Sequence, residues 1–218
     1  MALEAAIFDL DGLLVNTEVV SWHIYQDMLS PYGHDMTREE YAQLYSGRTE
    51  RHNIEAIIER YEVPMSVEEG FEFVAERERH YHALDVDLMP GARDLLAWLT
   101  ERGVAVALAS ASTEERAIGL LEQNGVRGHF SHFAYSTEVA HGKPAPDVFL
   151  LAAKRCEAHP ESCVAFEDSE AGVLAAHAAG MTVVCVPDMR RPAPEVLDLA
   201  HAVVPTLADA IPVVEAIL

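Results

Sequence analysis

Four short stretches of the chain are apolar at nearly every position, without the alternation of a half-exposed strand: residues 5–10 (AAIFDL), 104–110 (VAVALAS), 162–168 (SCVAFED) and 182–187 (TVVCVP). Runs of this length suit strands covered on both faces. Around them, apolar residues recur at helical spacing and the segment ends carry start and stop signals. Ser112 followed by Glu115 predicts a capping box ahead of a helix that Gly125 closes. Pro146 is expected to open a helix as its first-turn proline, and Ser169 to cap another that ends at Gly180. Strand and helix alternate from residue 88 onward, which predicts an α/β fold with a mainly parallel sheet.

Residues 17–84 follow a different rhythm. The segments TEVVSWHIYQDML, REEYAQLY, NIEAIIERY and VEEGFEFVAERERHYHAL are helical in pattern, with no strand among them. Trp22 and Trp98 fall within helical periodicity and are expected in the core, the alternative in the cap being that Trp22 or Tyr25 borders a substrate. One strand precedes this block and the others follow it. The chain is therefore expected to divide into an α/β core of residues 1–15 and 85–218 and an all-helical cap of residues 16–84, with joints near 13–16 and 84–89 as candidate hinges.

Composition narrows the function. A chain of 218 residues that is 50% hydrophobic can bury a sizeable core. Fifteen Lys and Arg against 36 Asp and Glu give a formal charge of -21, which repels nucleic acid and anionic membranes, so neither is expected as a partner. It also repels a free phosphorylated metabolite, so any phosphate site must be built locally. Cys156, Cys163 and Cys185 are odd in number and lack C-x-x-C spacing, which fits reduced thiols in a cytoplasmic protein. No apolar run is long enough to span a membrane, and the first strand leaves no room for a signal peptide; a soluble monomer is expected. The pairs His80/His82 and His129/His132 lack further zinc ligands at a useful spacing and read as solvated or packing histidines.

In open α/β sheets ligands gather beyond the carboxyl ends of the strands. Asp9 and Asp11, with Gly12, close the first strand; Ser110 and Ala111 close the second; Lys143 stands in GKPAPD; Glu167 and Asp168 end SCVAFED. Each alone has an ordinary explanation: a turn, a helix-entry serine, a solvated lysine, carboxylates at a helix N-terminus. Together they imply more, because carboxylates converging at one edge repel unless a cation sits among them, and hard oxygen ligands suit Mg²⁺. Asp9, Asp11, Glu167 and Asp168 are thus the candidate metal group. Asp9 is placed to attack phosphorus and form an aspartyl phosphate. Asp11, two positions along an extended chain and so on the same side, is placed to protonate the leaving oxygen and then deprotonate water. Ser110, Ala111 and Lys143 are the candidate phosphate-binding residues.

The set DLDG, LASAS, GKPAPD and FEDS, in this order and spacing, resembles the haloacid dehalogenase superfamily, in its phosphatase and β-phosphoglucomutase-like branch. The likeness covers essentially the whole chain. It implies a doubly wound core with an inserted helical cap, Mg²⁺, and hydrolysis of a small phosphomonoester, sugar-like or nucleotide-derived, through an aspartyl phosphate. Dehalogenases lack the second acid, so Asp11 argues against dehalogenation. A sugar-phosphate mutase is the alternative within the family. The cap histidine and arginine that the resemblance expects of such a mutase are replaced here by Ser21 and Glu50, while Arg48, Arg51 and Arg77 remain candidate cap contacts to substrate. A phospho-accepting receiver module shares several of these groups, but lacks the insertion and a counterpart of Asp11.

Overall fold

The computed structural model describes residues 3–82 and 86–217 of the chain. Residues 84 and 85, part of the second expected joint, lie outside the described residues, as do the side chains of His80 and His82. In chain order the first strand is β1 (Ala5–Phe8). Four helices follow: α1 (Thr17–Leu29), α2 (Arg38–Leu44), α3 (Glu50–Tyr61) and α4 (Val67–His82). After them come α5 (Ala92–Glu101), β2 (Ala105–Ser110), α6 (Glu114–Gln123), β3 (His132–Tyr135), α7 (Asp147–Arg155), β4 (Cys163–Glu167), α8 (Glu170–Ala178), β5 (Thr182–Cys185), α9 (Pro194–Leu197), β6 (Ala202–Val203) and α10 (Ile211–Glu215). The chain forms two compact units, one of Met1–Asn16 with Asp87–Leu218 and one of Thr17–Val86.

In the first unit six strands form one parallel sheet in the order β3-β2-β1-β4-β5-β6. Near its centre β1 lies between the two longest strands: Ile7 sits beside Ala107 of β2 on one side and Ala165 of β4 on the other. Both faces are covered, which is why these strands carry no polar alternation. One face buries Ala5, Ile7, Ala107 and Ala165 with Val148, Phe149 and Ala152 of α7 and Val173 and Ala176 of α8. Phe8 stacks on Phe166 at 4.5 Å and 16°. Strands β3 and β6 escape the pattern read from sequence because they are edge strands, short and half-buried at their outer positions.

Two local expectations are corrected. The cap of α6 is Thr113, whose hydroxyl accepts from Arg116 N; Ser112 is drawn elsewhere, because its hydroxyl is bonded to Asp11. Trp22 and Trp98 are half-buried rather than core, each under a guanidinium, Arg38 at 5.2 Å and Arg102 at 4.0 Å. Ser169 does cap α8, accepting from Gly172 N at 3.1 Å. Pro146 stands one residue outside α7, at its N-cap.

The segment after β1 turns back on itself. Leu14 N and Val15 N both donate to Leu10 O, Gly12 N donates to Val15 O, and Leu13, Leu14 and Val15 are buried. Asn16 N then donates to Asp87 O, and Met89 N to Leu14 O, so the chain leaving this unit and the chain returning to it are tied together.

Among its described residues the second unit contains helices and no strand. Thr37 and Thr49 cap α2 and α3 through their hydroxyls, and Trp22 Nε1 donates to Met36 O at 2.8 Å. Ile24, Met28, Leu29, Ile54, Ile57 and Val74 form its buried apolar lining.

Candidate active site

The carboxyl end of β1 carries Asp9, that of β2 carries Ser110 and that of β4 carries Glu167, and these central neighbours in the sheet bring their side chains to one edge. Lys143 reaches the same place from the segment ahead of α7. Its Nζ lies 2.5 Å from Asp9 Oδ1 and 2.5 Å from Glu167 Oε1, and its side chain is 8% exposed. An ammonium buried this deeply is retained only because two carboxylates compensate it. Burial works against the charged form, but the Asp9 and Glu167 charges outweigh it and hold the lysine above its ordinary value.

Glu167 is fully buried and both of its oxygens are engaged. Oε1 accepts from Lys143; Oε2 accepts from Asp168 N, Ser169 N and the Ser169 hydroxyl at 3.1–3.3 Å. This arrangement needs Gly172: a Cβ there would meet the Glu167 carboxylate at 1.8 Å, so the first turn of α8 closes over the acid only with glycine at that position. Asp9, Glu167 and Asp168 present carboxylate oxygens within 4.8 Å of one another. Gly12, at φ +78°, leaves room beside them; a Cβ would lie 2.6 Å from Asp168 Oδ2 and 3.3 Å from Asp188 Oδ2.

Burial pushes the Asp9 carboxyl up, the Lys143 ammonium pulls it back, and the Glu167 and Asp11 charges raise it again, leaving it at about 7. Hard oxygen donors at this spacing, with a glycine leaving space at their side, fit a divalent cation.

Ser110 is fully buried, and its Oγ accepts from Ser112 N at 3.0 Å; Ala111 follows it, exposed. Asp11 stands apart from the three-carboxylate group. Its Oδ2 accepts from the Ser112 hydroxyl at 2.6 Å and its Oδ1 from Arg116 Nη1 at 2.6 Å, and Arg116 also bonds Ser112 Oγ. Ser112, Arg116 and Asp188 are thus site neighbours that the sequence reading did not assign there. For Asp188 a signal existed, since it closely follows the end of β5 as Asp168 follows β4.

In the helical unit, Arg48 lines a cavity of about 100 Å³. Arg51 pairs with Glu55 at 3.4 Å and lies over Phe71, and Arg77 pairs with Asp27 at 3.6 Å and lies over Phe73. No helix among the described residues is long and apolar enough to cross a membrane.

Residues 6–186 match the family described as haloacid dehalogenase-like hydrolase. The chain is 30% identical over 179 residues to the phosphorylated carbohydrates phosphatase of Thermotoga maritima, covering 82% of each chain. It is 32% identical over 195 residues to the β-phosphoglucomutase of Bacillus subtilis, covering 84% of this chain and 83% of that one. The crystal structure of a haloacid dehalogenase family hydrolase from Deinococcus radiodurans with bound phosphate and sodium superposes with a TM-score of 0.86 at 27% identity, covering 98% of this chain and 96% of the other. The chain belongs to the haloacid dehalogenase-like hydrolases. It is an enzyme of the phosphatase and β-phosphoglucomutase-like part of that superfamily.

Proposed function

We propose that the protein is a Mg²⁺-dependent phosphomonoesterase that hydrolyses a small phosphorylated metabolite through a phosphoryl group held on Asp9. The observation that carries this is the convergence of Asp9, Glu167 and Asp168, with the buried Lys143 paired to the first two. Asp9 and Asp168 would hold the cation, which neutralises charge so that a carboxylate can approach an anionic phosphate. An oxygen of Asp9 attacks phosphorus, and the bond from phosphorus to the ester oxygen breaks. Asp11 gives its proton to that leaving oxygen, then takes one from the water that attacks the aspartyl phosphate, and inorganic phosphate leaves. Lys143 and the Ser110 hydroxyl hold phosphoryl oxygens as charge spreads over them. Glu167 anchors Lys143, while Ser112 and Arg116 set the orientation of Asp11.

Hydrolysis is favoured over phosphoryl transfer between sugar positions. Ser21 and Glu50, which stand where the resemblance expects a mutase's histidine and arginine, both line the cavity of the helical unit. A carboxylate in place of an arginine disfavours a second phosphate. Asp9→Asn is expected to abolish turnover, and Asp11→Asn to lower kcat by about a hundredfold or more while Mg²⁺ binding persists. Normal activity in either variant refutes the roles given. Chelation is expected to remove activity and Mg²⁺ to restore it. Supplied with either anomer of glucose 1-phosphate, the enzyme should release inorganic phosphate at most; formation of an isomer would establish the mutase.

A further inference from the structure

Lys143 is delivered by a loop that is tied to the helix following it. Asp147, the first residue of α7, accepts through Oδ2 from His141 N at 3.3 Å, and Ala145 N donates to Gly142 O at 3.0 Å, so the segment from 141 to 147 closes into a compact turn. The lysine side chain then comes back over the third residue of that helix. Its Nζ stands over the Phe149 ring, 4.9 Å from the ring centre. An ammonium within about 6 Å of an aromatic centre is attracted by the negative face of the ring, most strongly where water is excluded. Water is excluded here: Phe149 is fully buried, and the lysine is nearly so.

Phe149 has an ordinary reason to be inside, since it packs with Val148 and Ala152 against the sheet. Packing alone asks for apolar volume and does not ask for a ring beneath a cation. The ring also differs from the other two partners of the ammonium in a way that bears on the reaction. Asp9 and Glu167 take two of the three N–H groups. Asp9 is the group that the proposed chemistry alters, and a further carboxylate beside the lysine would repel an incoming phosphate. A ring face attracts the cation while carrying no net charge.

We propose that Phe149 is a positioning residue for Lys143: its ring holds the ammonium in place while Asp9 changes partners, so that the remaining N–H stays available to a phosphoryl oxygen. The phosphoryl half of this statement rests on the phosphatase reading above; the half that joins ring and ammonium does not.

Two measurements on the full chain test it. The chain has two lysines, Lys143 and Lys154, the second exposed, so isotope-labelled lysine gives two ε-methylene signals in NMR, assigned by Lys154→Arg. The Lys143 signal is expected upfield of the other, because protons over a ring face are shielded, and to lose that displacement in Phe149→Leu. In the second measurement Phe149 is replaced by phenylalanines bearing one, two and three ring fluorines, which nearly preserve its shape and weaken its face in steps. For p-nitrophenyl phosphate, kcat/KM is expected to fall about twofold per fluorine and about tenfold in Phe149→Leu. The dissociation constant of inorganic phosphate, read from the Lys143 signal with Mg²⁺ present, should rise in the same steps. A side chain that only packs would leave the fluorinated chains unchanged. If the unaltered chain hydrolyses no ester, yet phosphate moves the Lys143 signal and its affinity follows the fluorine series, the phosphatase reading falls and the role of Phe149 stands. If the Lys143 signal is not displaced upfield, or phosphate does not move it, or fluorination leaves the phosphate affinity unchanged, the proposal is overturned, whatever the activity.

Discussion

Lys143 concentrates the chemistry of the core unit in one side chain, since a single buried ammonium neutralises Asp9 and anchors Glu167 at 2.5 Å each. Replacing it with methionine keeps the length and removes the charge. Two buried carboxylates are then left facing each other, and the cost of such a broken pair is about 3–5 kcal/mol. Lys143→Met is therefore expected to lower the unfolding free energy from urea titration by that amount when chelator is present, with added Mg²⁺ recovering part of the loss. Unchanged stability would mean that the two acids are not held by this lysine. The acids at strand ends were readable from sequence because a carboxylate that ends an apolar run is conspicuous. Arg116 was not: it stands in a charged stretch, EER, that looks like any solvated helix face, and only the fold brings it 2.6 Å from Asp11.

At the level of elements, the strands that could be read are those whose two faces are both covered. Strands β1, β2, β4 and β5 have no polar face to present, so their sequences are apolar at every position but an end. The edges carry no such mark: β3 begins at a histidine, and β6 is two residues long. The start of α6 was misread by one residue because two hydroxyls stand side by side and the local pattern cannot tell which will be claimed by Asp11, about a hundred positions earlier in the chain. Helix α8 makes a sharper demand. Since a Cβ at Gly172 would overlap the Glu167 carboxylate, Gly172→Ala must tilt the helix or expel the acid. The variant is expected to lose about 2–4 kcal/mol of stability and most of its kcat, because Lys143 loses its anchor. Urea denaturation read beside a kcat measurement checks both.

For the molecule as a whole, charge and thiols make separate claims. At a formal charge of -21 the protein repels a dianionic ester before it arrives. Raising ionic strength from about 0.01 M to about 0.1 M shortens the screening length from roughly 30 Å to 10 Å, so kcat/KM for an anionic substrate is expected to rise with salt, by about two- to fivefold. A fall would show that local positive charge already governs the approach. The three cysteines are unbridged, and burial pushes the Cys156 thiol up to about 11 and those of Cys163 and Cys185 to about 12. A pKa raised in the folded state adds stability that is complete below the unfolded value, near 9, and is lost as pH climbs through the folded one. Stability to urea should accordingly hold up to about pH 9 and fall between there and pH 12. Thiol reagents at pH 8 should label the native chain far more slowly than the unfolded one.

The register of the sheet also governs how the chain comes off the ribosome. Ala5 lies beside Ala105 on one side and Cys163 on the other, so the first strand made has both of its neighbours far along the chain. During synthesis it must wait, apolar and unpaired, while every helix of the Thr17–Val86 unit is completed, and its second neighbour arrives only when some three-quarters of the chain has been translated. A nascent polypeptide halted before β4 is thus expected to be a substrate for holding chaperones, and one halted just beyond it to be released.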